Sequence, residues 1–302
     1  MGLKMPKAYS DKLKRDITVE EAVKESIKED IFCTSKECRI PLTLVGAFMR
    51  NSSLVSAHFK RRGREEHKNC DYNTLGQINI AARDSEGALA SINAKKYSLR
   101  LNLISKAIKN SDSSKKKEST DVDIDNTKQP TKNYISSGKI SAYLATMKKI
   151  MQIKSKIENE KELRSLIEIQ FNDNNIKWSD FYFEFDDYEK CFSKLMNNKL
   201  DYPICIEGEI KNFERATENF SYHTIKLKLK FLGENEDGKN KFASVSIWIS
   251  DENIFEKLKK DFESGKNHVA FCSNMWASRV DRTSEFLNIT GKVYNMKQIY
   301  MY

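Results

Sequence analysis

The C-terminal third of the chain alternates apolar and polar residues with the period of two that is typical of β-strands. Between the third and fourth such segments, an amphipathic helical pattern ends at Gly265, a residue type that commonly terminates helices. Three strands, a helix and two strands are the order of a five-stranded OB-like β-barrel, the fold we expect for residues 201–302. The strands are predicted at 204–210, 225–230, 243–249, 269–276 and 286–294.

The first half of the chain mixes helical and strand patterns. A helix is predicted at 16–32, where apolar residues recur at helical spacing and either Asp16 or Thr18 serves as the N-cap. Two strands with a turn between them are followed by a helix, and a second helical stripe and a short helix come later in the chain. These elements are predicted at 41–48, 54–60, 75–83, 140–157 and 160–169.

A change of composition divides the chain. Residues 110–133 are rich in Ser, Thr, Lys and Asp and nearly devoid of apolar side chains, so they predict a flexible linker. We therefore expect an α+β protein with an N-terminal domain at 1–109, a helical segment at 134–200 and the barrel at 201–302.

Charge and cysteine usage narrow the class of protein. Lysine and arginine total 52 against 43 acidic residues, which favours a polyanionic partner, although a modest basic excess also occurs in proteins that bind none. No apolar run approaches the length that spans a bilayer, and residues 1–15 lack the pattern of a secretory signal. Six unevenly spread cysteines do not indicate a disulfide framework. The sequence thus predicts a cytoplasmic protein with reduced thiols and no membrane partner.

Three of the six cysteines and two of the four histidines fall between residues 33 and 70. Cys33 and Cys38 form one pair, and His67 and Cys70 form a second pair after the predicted hairpin. Zn²⁺ prefers four tetrahedral sulfur and nitrogen ligands, and two closely spaced pairs supply them from short loops. We therefore predict a zinc site that stabilises a small treble-clef-like module, in which a knuckle, the hairpin and a helix carrying the last two ligands come together.

The fifth candidate in this window, His58, has three alternative roles. It replaces His67 as a ligand, it supports a ligand through a hydrogen bond, or it acts as a general base. A lone strand histidine beside Phe59 is most often structural, which is the fourth interpretation.

Basic side chains follow the second strand of the predicted hairpin. We predict that they contact a phosphate backbone, with a merely solvated loop as the alternative, because Glu65 and Glu66 dilute the charge. The predicted contacts are Lys60, Arg61, Arg62 and Arg64.

The string AHFKRRGREEHKNC, with FCTSKEC upstream, resembles the N-terminal zinc-finger region of CoiA-like competence proteins. The resemblance covers about 40 residues and implies that Cys33, Cys38, His58, His67 and Cys70 are the motif positions. The Cys-x4-Cys spacing differs from the more usual Cys-x2-Cys. CoiA-like proteins also carry a restriction-endonuclease-like domain. We find no Asp…Glu-x-Lys run in a strand–helix context here, and the OB-like half takes the place of that domain, so the resemblance does not imply nuclease activity.

The predicted barrel carries a second set of candidate contacts. If its aliphatic positions face the interior, the intervening side chains face outward, and OB folds bind oligonucleotides there by stacking bases on aromatic rings. The outward residues are Tyr222, Lys226, Lys228, Lys230 and Trp248, which Arg279, Arg282 and Lys292 would extend. The alternatives are that Trp248 packs against the preceding helices and that Lys226 and Lys228 pair with Glu207 and Glu209.

These patterns predict a non-catalytic protein that binds nucleic acid, with single-stranded DNA favoured, in bacterial DNA uptake, processing or phage defence. Two rivals come from other classes. One is a zinc-dependent nuclease component that uses His58, and the other is an adaptor that binds a protein partner instead of nucleic acid.

Overall fold

The computed structural model describes residues 4–50, 53–63, 65, 67, 70, 72–85, 87–93, 96–101, 145–157, 160–197 and 200–302. In these residues the protein is a mixture of helices and strands, as the sequence predicted, and strands predominate. The predicted linker at 110–133 lies outside the described residues. Within the described ranges no helix is long and apolar enough to cross a membrane.

The chain begins with a small sheet rather than with the helix predicted at 16–32. Thr18 caps the helix that does form, because its hydroxyl accepts the Glu21 N–H (3.2 Å) and its own N–H donates to the Glu21 carboxylate (2.8 Å). The residues before Val19 form a strand that pairs with residues 7–10 instead of a helix. The helix cannot continue past its end, because Ser26 and Asp30 adopt left-handed backbone conformations (φ 54° and 55°). The elements are β1 Lys7–Ser10, β2 Arg15–Thr18, α1 Val19–Lys24 and β3 Ile31–Phe32, in the sheet order β2-β1-β3.

The predicted hairpin at 41–60 is present but interrupted. Each predicted strand is divided in two, so that β4 pairs with β7 and β5 pairs with β6. The following helix begins at Thr74, one residue before its predicted start, and ends at Arg83 as predicted. The elements are β4 Leu42–Val45, β5 Phe48–Arg50, β6 Ser53–Val55, β7 His58–Arg61 and α2 Thr74–Arg83.

A four-stranded sheet joins residues on the two sides of the predicted linker. Strand β10 pairs in parallel with β9, with Ile167 opposite Tyr97. The helix predicted at 160–169 is therefore wrong beyond Leu166, because Ile167 and Ile169 are buried alternately in a strand. The segment 134–200 thus contains strands as well as helices, while the domain boundaries themselves stay predictions. The elements are β8 Leu89–Asn93, β9 Lys96–Arg100, α3 145–156, α4 Glu160–Leu166, β10 Ile167–Phe171 and β11 Asn174–Ile176.

The C-terminal region forms a nine-stranded sheet of order β18-β19-β16-β14-β13-β17-β20, with β15 on β16 and β12 on β13. Strands β16 and β19 are parallel, whereas β13 is antiparallel to both β14 and β17. The strands are β12 Tyr182–Phe183, β13 Ile204–Glu214, β14 His223–Leu227, β15 Lys230–Glu234, β16 Asn240–Ile249, β17 His268–Ser273, β18 Met275–Asp281, β19 Glu285–Val293 and β20 Ile299–Met301. The helices are α5 Tyr188–Asn197 and α6 Glu252–Glu263, with 3₁₀ turns at Trp178–Asp180, Phe185–Asp187 and Met296–Gln298.

The predicted order of three strands, a helix and two strands is present, with two differences. The second predicted strand is divided into β14 and β15, and the fourth is divided at Asn274 into β17, which pairs with β13, and β18, which pairs with β19. The hydrogen-bonded path ends at β18 and at β20, so the closed five-stranded barrel stays a prediction.

Strand β16 separates an apolar face from a polar and aromatic one. Its buried residues are Ala243, Val245, Ile247 and Ile249, as the alternation predicted. Helix α6 covers the same core with Ile254, Phe255 and Leu258, and Gly265 (φ +98°) follows its end as expected. We call the opposite side, with the alternate residues of β16, the outer face.

Candidate metal centre and aromatic face

The structure brings together Cys33, Cys38, His67 and Cys70, which we call the cysteine–histidine cluster. One ligand atom from each residue lies within 4.8 Å of the other three. Cys33 follows β3, Cys38 lies in the next turn, and the other two residues lie between β7 and α2. The helix therefore begins after the last two ligands rather than carrying them, which corrects the predicted arrangement.

The distances within the cluster suit a metal ion. Nδ1 of His67 lies 3.4 Å from Sγ of Cys38 and 3.3 Å from Sγ of Cys70. A tetrahedral ion with bonds of about 2.0 Å to nitrogen and 2.3 Å to sulfur places such atoms about 3.5 Å apart. Three thiols and one imidazole nitrogen are also the donor set of soft, four-coordinate sites. This cluster can hold a metal ion.

Burial keeps Cys33, His67 and Cys70 neutral while no cation is bound. Burial, with a smaller contribution from the neighbouring Cys70 and Cys38 sulfurs, raises the pKa of the Cys33 thiol to about 12. Burial likewise raises the pKa of Cys70 and lowers the pKa of His67 to about 4. A bound divalent cation would supply the positive charge that turns the thiols into thiolate ligands.

Backbone hydrogen bonds fix the turn that carries the first ligand pair. The Ser35 carbonyl accepts the N–H groups of Cys38 (3.2 Å) and Arg39 (3.1 Å). The guanidinium of Arg39 donates to the Cys33 carbonyl at 3.1 Å and lies 3.7 Å from the centre of the Tyr9 ring. The turn is thereby tied to strand β1 of the neighbouring sheet.

Asn73 connects the second ligand pair to the following helix. Its side-chain Nδ2 donates to the His67 carbonyl at 2.9 Å, while Oδ1 accepts the Gly76 N–H at 3.1 Å and caps helix α2. The start of the helix thus determines the position of the His67 backbone. Nε2 of His67 is buried without a hydrogen-bond partner among the described residues.

His58 does not join the cluster. It lies in β7 opposite Val45, its side chain is buried, and its Nδ1–H donates to the Ser56 carbonyl at 2.8 Å. Burial lowers its pKa. This arrangement matches the interpretation of His58 as a packed strand histidine.

The predicted basic contacts of the hairpin lie at the end of β7. Lys60 and Arg62 are exposed, and Arg61 is half-buried with its guanidinium 3.5 Å from the Glu65 carbonyl. Arg64 lies outside the described residues. Their contact with nucleic acid stays a prediction.

A continuous group of four rings covers one end of the outer face. We call Phe220, Tyr222, Trp248 and Trp276 the aromatic patch. The Trp248 ring lies 5.0 Å from Phe220, 5.1 Å from Trp276 and 5.5 Å from Tyr222, with which it is stacked. Phe220 and Trp276 remain 38% and 37% exposed, so the ring contacts of Trp248 are with rings that themselves reach solvent; its predicted packing against the preceding helices stays a prediction.

Strand register places the patch beside Lys292. This lysine lies opposite Trp248 in the parallel β16–β19 pair. Its ammonium group is 2.9 Å from the Tyr222 hydroxyl and 4.6 Å from the centre of that ring. In the part of the chain that the structure describes, no carboxylate pairs with Lys292.

The other lysines expected on this face are paired with carboxylates. Lys228 contacts Glu209 at 2.5 Å, as one alternative predicted, whereas Lys226 contacts Glu214 at 2.8 Å rather than Glu207. Lys230, which was predicted to point outward, does not lie on the outer face: it pairs in register with the buried Ala243, and its ammonium group contacts Asp186. These lysines contribute less positive potential to the outer face than the sequence suggested, because each charge has a neighbouring opposite charge.

Two members of the patch were missed by sequence reasoning. Trp276 had a detectable signal, because it alternates with Met275 and Ala277 in the exposed phase of β18. Phe220 had none, because it lies in a loop that is closed by reciprocal backbone hydrogen bonds with Thr217 (2.9 and 3.1 Å). Only the folded loop brings its ring to Trp248.

No protein-family model matches the chain, and no curated protein matches it. The resemblance to CoiA-like proteins therefore stays a prediction. Among solved structures, a small single-stranded DNA binding protein from Mycoplasma pneumoniae is similar to 33% of this chain over 90% of its own, with 11% identity and a TM-score of 0.21. An OBody bound to hen egg-white lysozyme covers 36% of this chain and 90% of its own (13% identity, TM-score 0.20). A Plasmodium falciparum SSB in complex with single-stranded DNA covers 33% and 90% (13% identity, TM-score 0.19). At these scores the likenesses identify neither a family nor a ligand for this chain.

Proposed function

We propose that this protein binds single-stranded nucleic acid, in the first place DNA, on the aromatic patch of the outer face. The observation that carries the proposal is a group of four contiguous rings, two of them more than a third exposed, beside a lysine that has no carboxylate partner among the described residues. Bases stack on such rings, and a cation at their edge contacts the phosphate backbone.

The geometry favours a single strand over a duplex. Bases in a duplex are already stacked on both faces, whereas unpaired bases offer a free face to the rings of Trp276 and Phe220. Stacking is also tolerant of base identity, which suits a patch with one adjacent ammonium group and few hydrogen-bonding side chains.

The pairing of the other lysines supports a modest electrostatic contribution. Lys226, Lys228 and Lys230 each lie against a carboxylate, so stacking is expected to supply more of the affinity than the basic composition suggests. The exposed Lys60 and Arg62 would add backbone contacts if a longer strand reached the N-terminal hairpin.

We further propose that the cysteine–histidine cluster binds Zn²⁺ and acts structurally. All four ligand positions are occupied by protein side chains, which leaves no open position for a substrate. With the zinc fixed in this way, the treble-clef-like module would position the basic hairpin. The C-terminal strands would likewise close into an OB-like barrel, since only Asn274 separates β17 from β18.

The proposal is tested by measuring the affinity of the purified protein for fluorescent oligo-dT, oligo-U and duplex DNA over a range of salt concentrations. Trp248→Ala removes the central ring of the patch, so single-strand affinity should fall by about 1–3 kcal/mol, which is about fivefold to 150-fold. Trp276→Ala provides a second, more exposed position for the same test. The thermal stability of each variant shows whether the fold is retained.

Met196→Ala serves as the matched control, because this residue is 51% exposed on helix α5 rather than on the sheet. Wild-type protein that binds no oligonucleotide at moderate salt, while retaining its metal, would refute the proposal and favour the protein adaptor. Cleavage that disappears in His58→Ala, with the metal retained, would instead support the nuclease rival. A role in DNA uptake, processing or phage defence belongs to the same proposal.

A further inference from the structure

The outer face carries a second group of rings at the end opposite the aromatic patch. Phe231 of β15, Phe242 of β16 and Phe286 of β19 form what we call the phenylalanine cluster. Ring centroids are 5.5 Å apart between Phe231 and Phe242 and 5.6 Å apart between Phe242 and Phe286. Phe231 is 57% exposed, the highest value among the large apolar side chains of the described residues.

The two groups of rings share one strand and one face. Phe242 and Trp248 both point outward from β16, on the side of the strand opposite its buried core residues. Ser244 and Ser246 lie between them on the same face, and the Ser244 hydroxyl bonds the side-chain carbonyl of Asn288 on β19. A polar strip therefore connects two aromatic ends.

The length of this strip defines the size of a ligand. Phe242 and Trp248 are six residue steps apart on β16, which corresponds to about 20 Å at about 3.3 Å per residue. A stacked single strand advances about 3.4 Å per nucleotide, so about six nucleotides bridge the two groups of rings.

A cation lies at the far end of the strip as well. Arg282 is exposed in the turn between β18 and β19, at the end of β19 that carries Phe286, and no described carboxylate pairs with it. Arg279, which the sequence placed in the same groove, instead lies on the other side of β18, 6.0 Å from the Phe192 ring and 3.4 Å from Glu285. One cation thus accompanies each group of rings, Lys292 at one end and Arg282 at the other.

We infer that the phenylalanine cluster is a second stacking site for the strand that occupies the aromatic patch, so that one nucleic acid of about six or more nucleotides runs along β16. The inference rests on the proposed function and adds the direction and the minimum length of its ligand. The polar strip between the two sites meets the sugars and base edges of the intervening nucleotides.

The test compares oligo-dT of about three, six and nine nucleotides with the full-length protein. Phe231→Ala should leave the affinity for the shortest oligonucleotide unchanged and weaken binding of the longest about tenfold. Phe231→Tyr keeps a ring and should retain the affinity for all lengths. Met196→Ala, which is matched in exposure, should behave as wild type.

The outcomes separate this inference from the proposed function. Trp248→Ala should weaken binding at every length. If it does so while Phe231→Ala changes none of the affinities, the second site is refuted and the proposed function stands. If wild-type protein binds none of the oligonucleotides, both fall. A uniform loss in Phe231→Ala at all lengths, with the fold retained, would also contradict a second site, since the shortest strand cannot reach both groups of rings.

Discussion

Removing the metal from the cysteine–histidine cluster should unfold the N-terminal region and leave the C-terminal sheet intact. We expect the region to depend on the cluster because its own apolar core is small: among the described residues it has ten buried residues, against twenty-three in the core of the C-terminal sheet. Cys33 is itself one of those ten residues, so the cluster and the core cannot be separated.

The size of the effect follows from linkage. A metal present at a hundredfold to a thousandfold excess over its dissociation constant stabilises the folded state by about 2.7–4.1 kcal/mol. Domains typically have only about 5–15 kcal/mol of total stability, and a region with so small a core is expected near the lower end. Chelation, or Cys70→Ala, should therefore remove a large fraction of its free energy of unfolding.

Two readouts separate the halves of the protein. Trp248 and Trp276 lie in strands of the C-terminal sheet. Their fluorescence reports on that sheet when it is measured in a Trp178→Phe background, because Trp178 packs in one core with Ile78 and Leu99. Amide hydrogen exchange in the β4–β7 pair reports on the region of the cluster. We expect chelation to release about one Zn²⁺ per chain and to accelerate exchange in β4–β7 without changing the fluorescence.

Cys191→Ala is the matched control, because it removes a buried thiol that lies outside the cluster. It should retain the metal and normal exchange in β4–β7. The reasoning is refuted if chelated protein keeps full protection of these strands, or if Cys191→Ala loses as much metal as Cys70→Ala.

Two further predictions concern the sheet and its charges. A Cβ at Gly208 would overlap the Tyr188 hydroxyl, so Gly208→Ala should lower the free energy of unfolding by about 1–3 kcal/mol in urea titrations. An unchanged midpoint would contradict this contact. Lys292→Gln should reduce the slope of log affinity against log salt by about one, whereas Lys228→Gln, whose lysine is paired with Glu209, should change it less. Equal slopes in the two variants would argue against a special role for Lys292.

Local patterns predicted the elements that depend on neighbouring residues. The alternation at 243–249 predicted a strand with the correct buried face, and the apolar stripe before Gly265 predicted helix α6. Both are regular segments whose periodicity directly reports which side is buried. The prediction of a helix at 16–32 was wrong because both ends of this segment form strands that pair with β1. Hydrophobic periodicity does not reveal such pairing with a distant strand.

In the candidate sites, too, the sequence predicted some features and the tertiary structure alone decided others. The spacing of Cys33, Cys38, His67 and Cys70 was sufficient to propose a common metal, because scarce residue types that fall into two close pairs are typical of ligands to one ion. Sequence did not resolve the role of His58, because the hydrogen bond to Ser56 that accompanies its burial exists only once β7 has formed.

The sequence by itself determined which residue types are available: the ligand set, the outward phase of β16 with Trp248, and a basic surplus. Only the tertiary structure decided which of them act together. In the folded protein Lys226 and Lys228 form ion pairs with carboxylates of β13. Phe220 from a loop and Trp276 from another strand contact the Trp248 ring. The physical reason is that ion pairing and ring contact depend on distances between segments remote in sequence, which strand register and loop closure set.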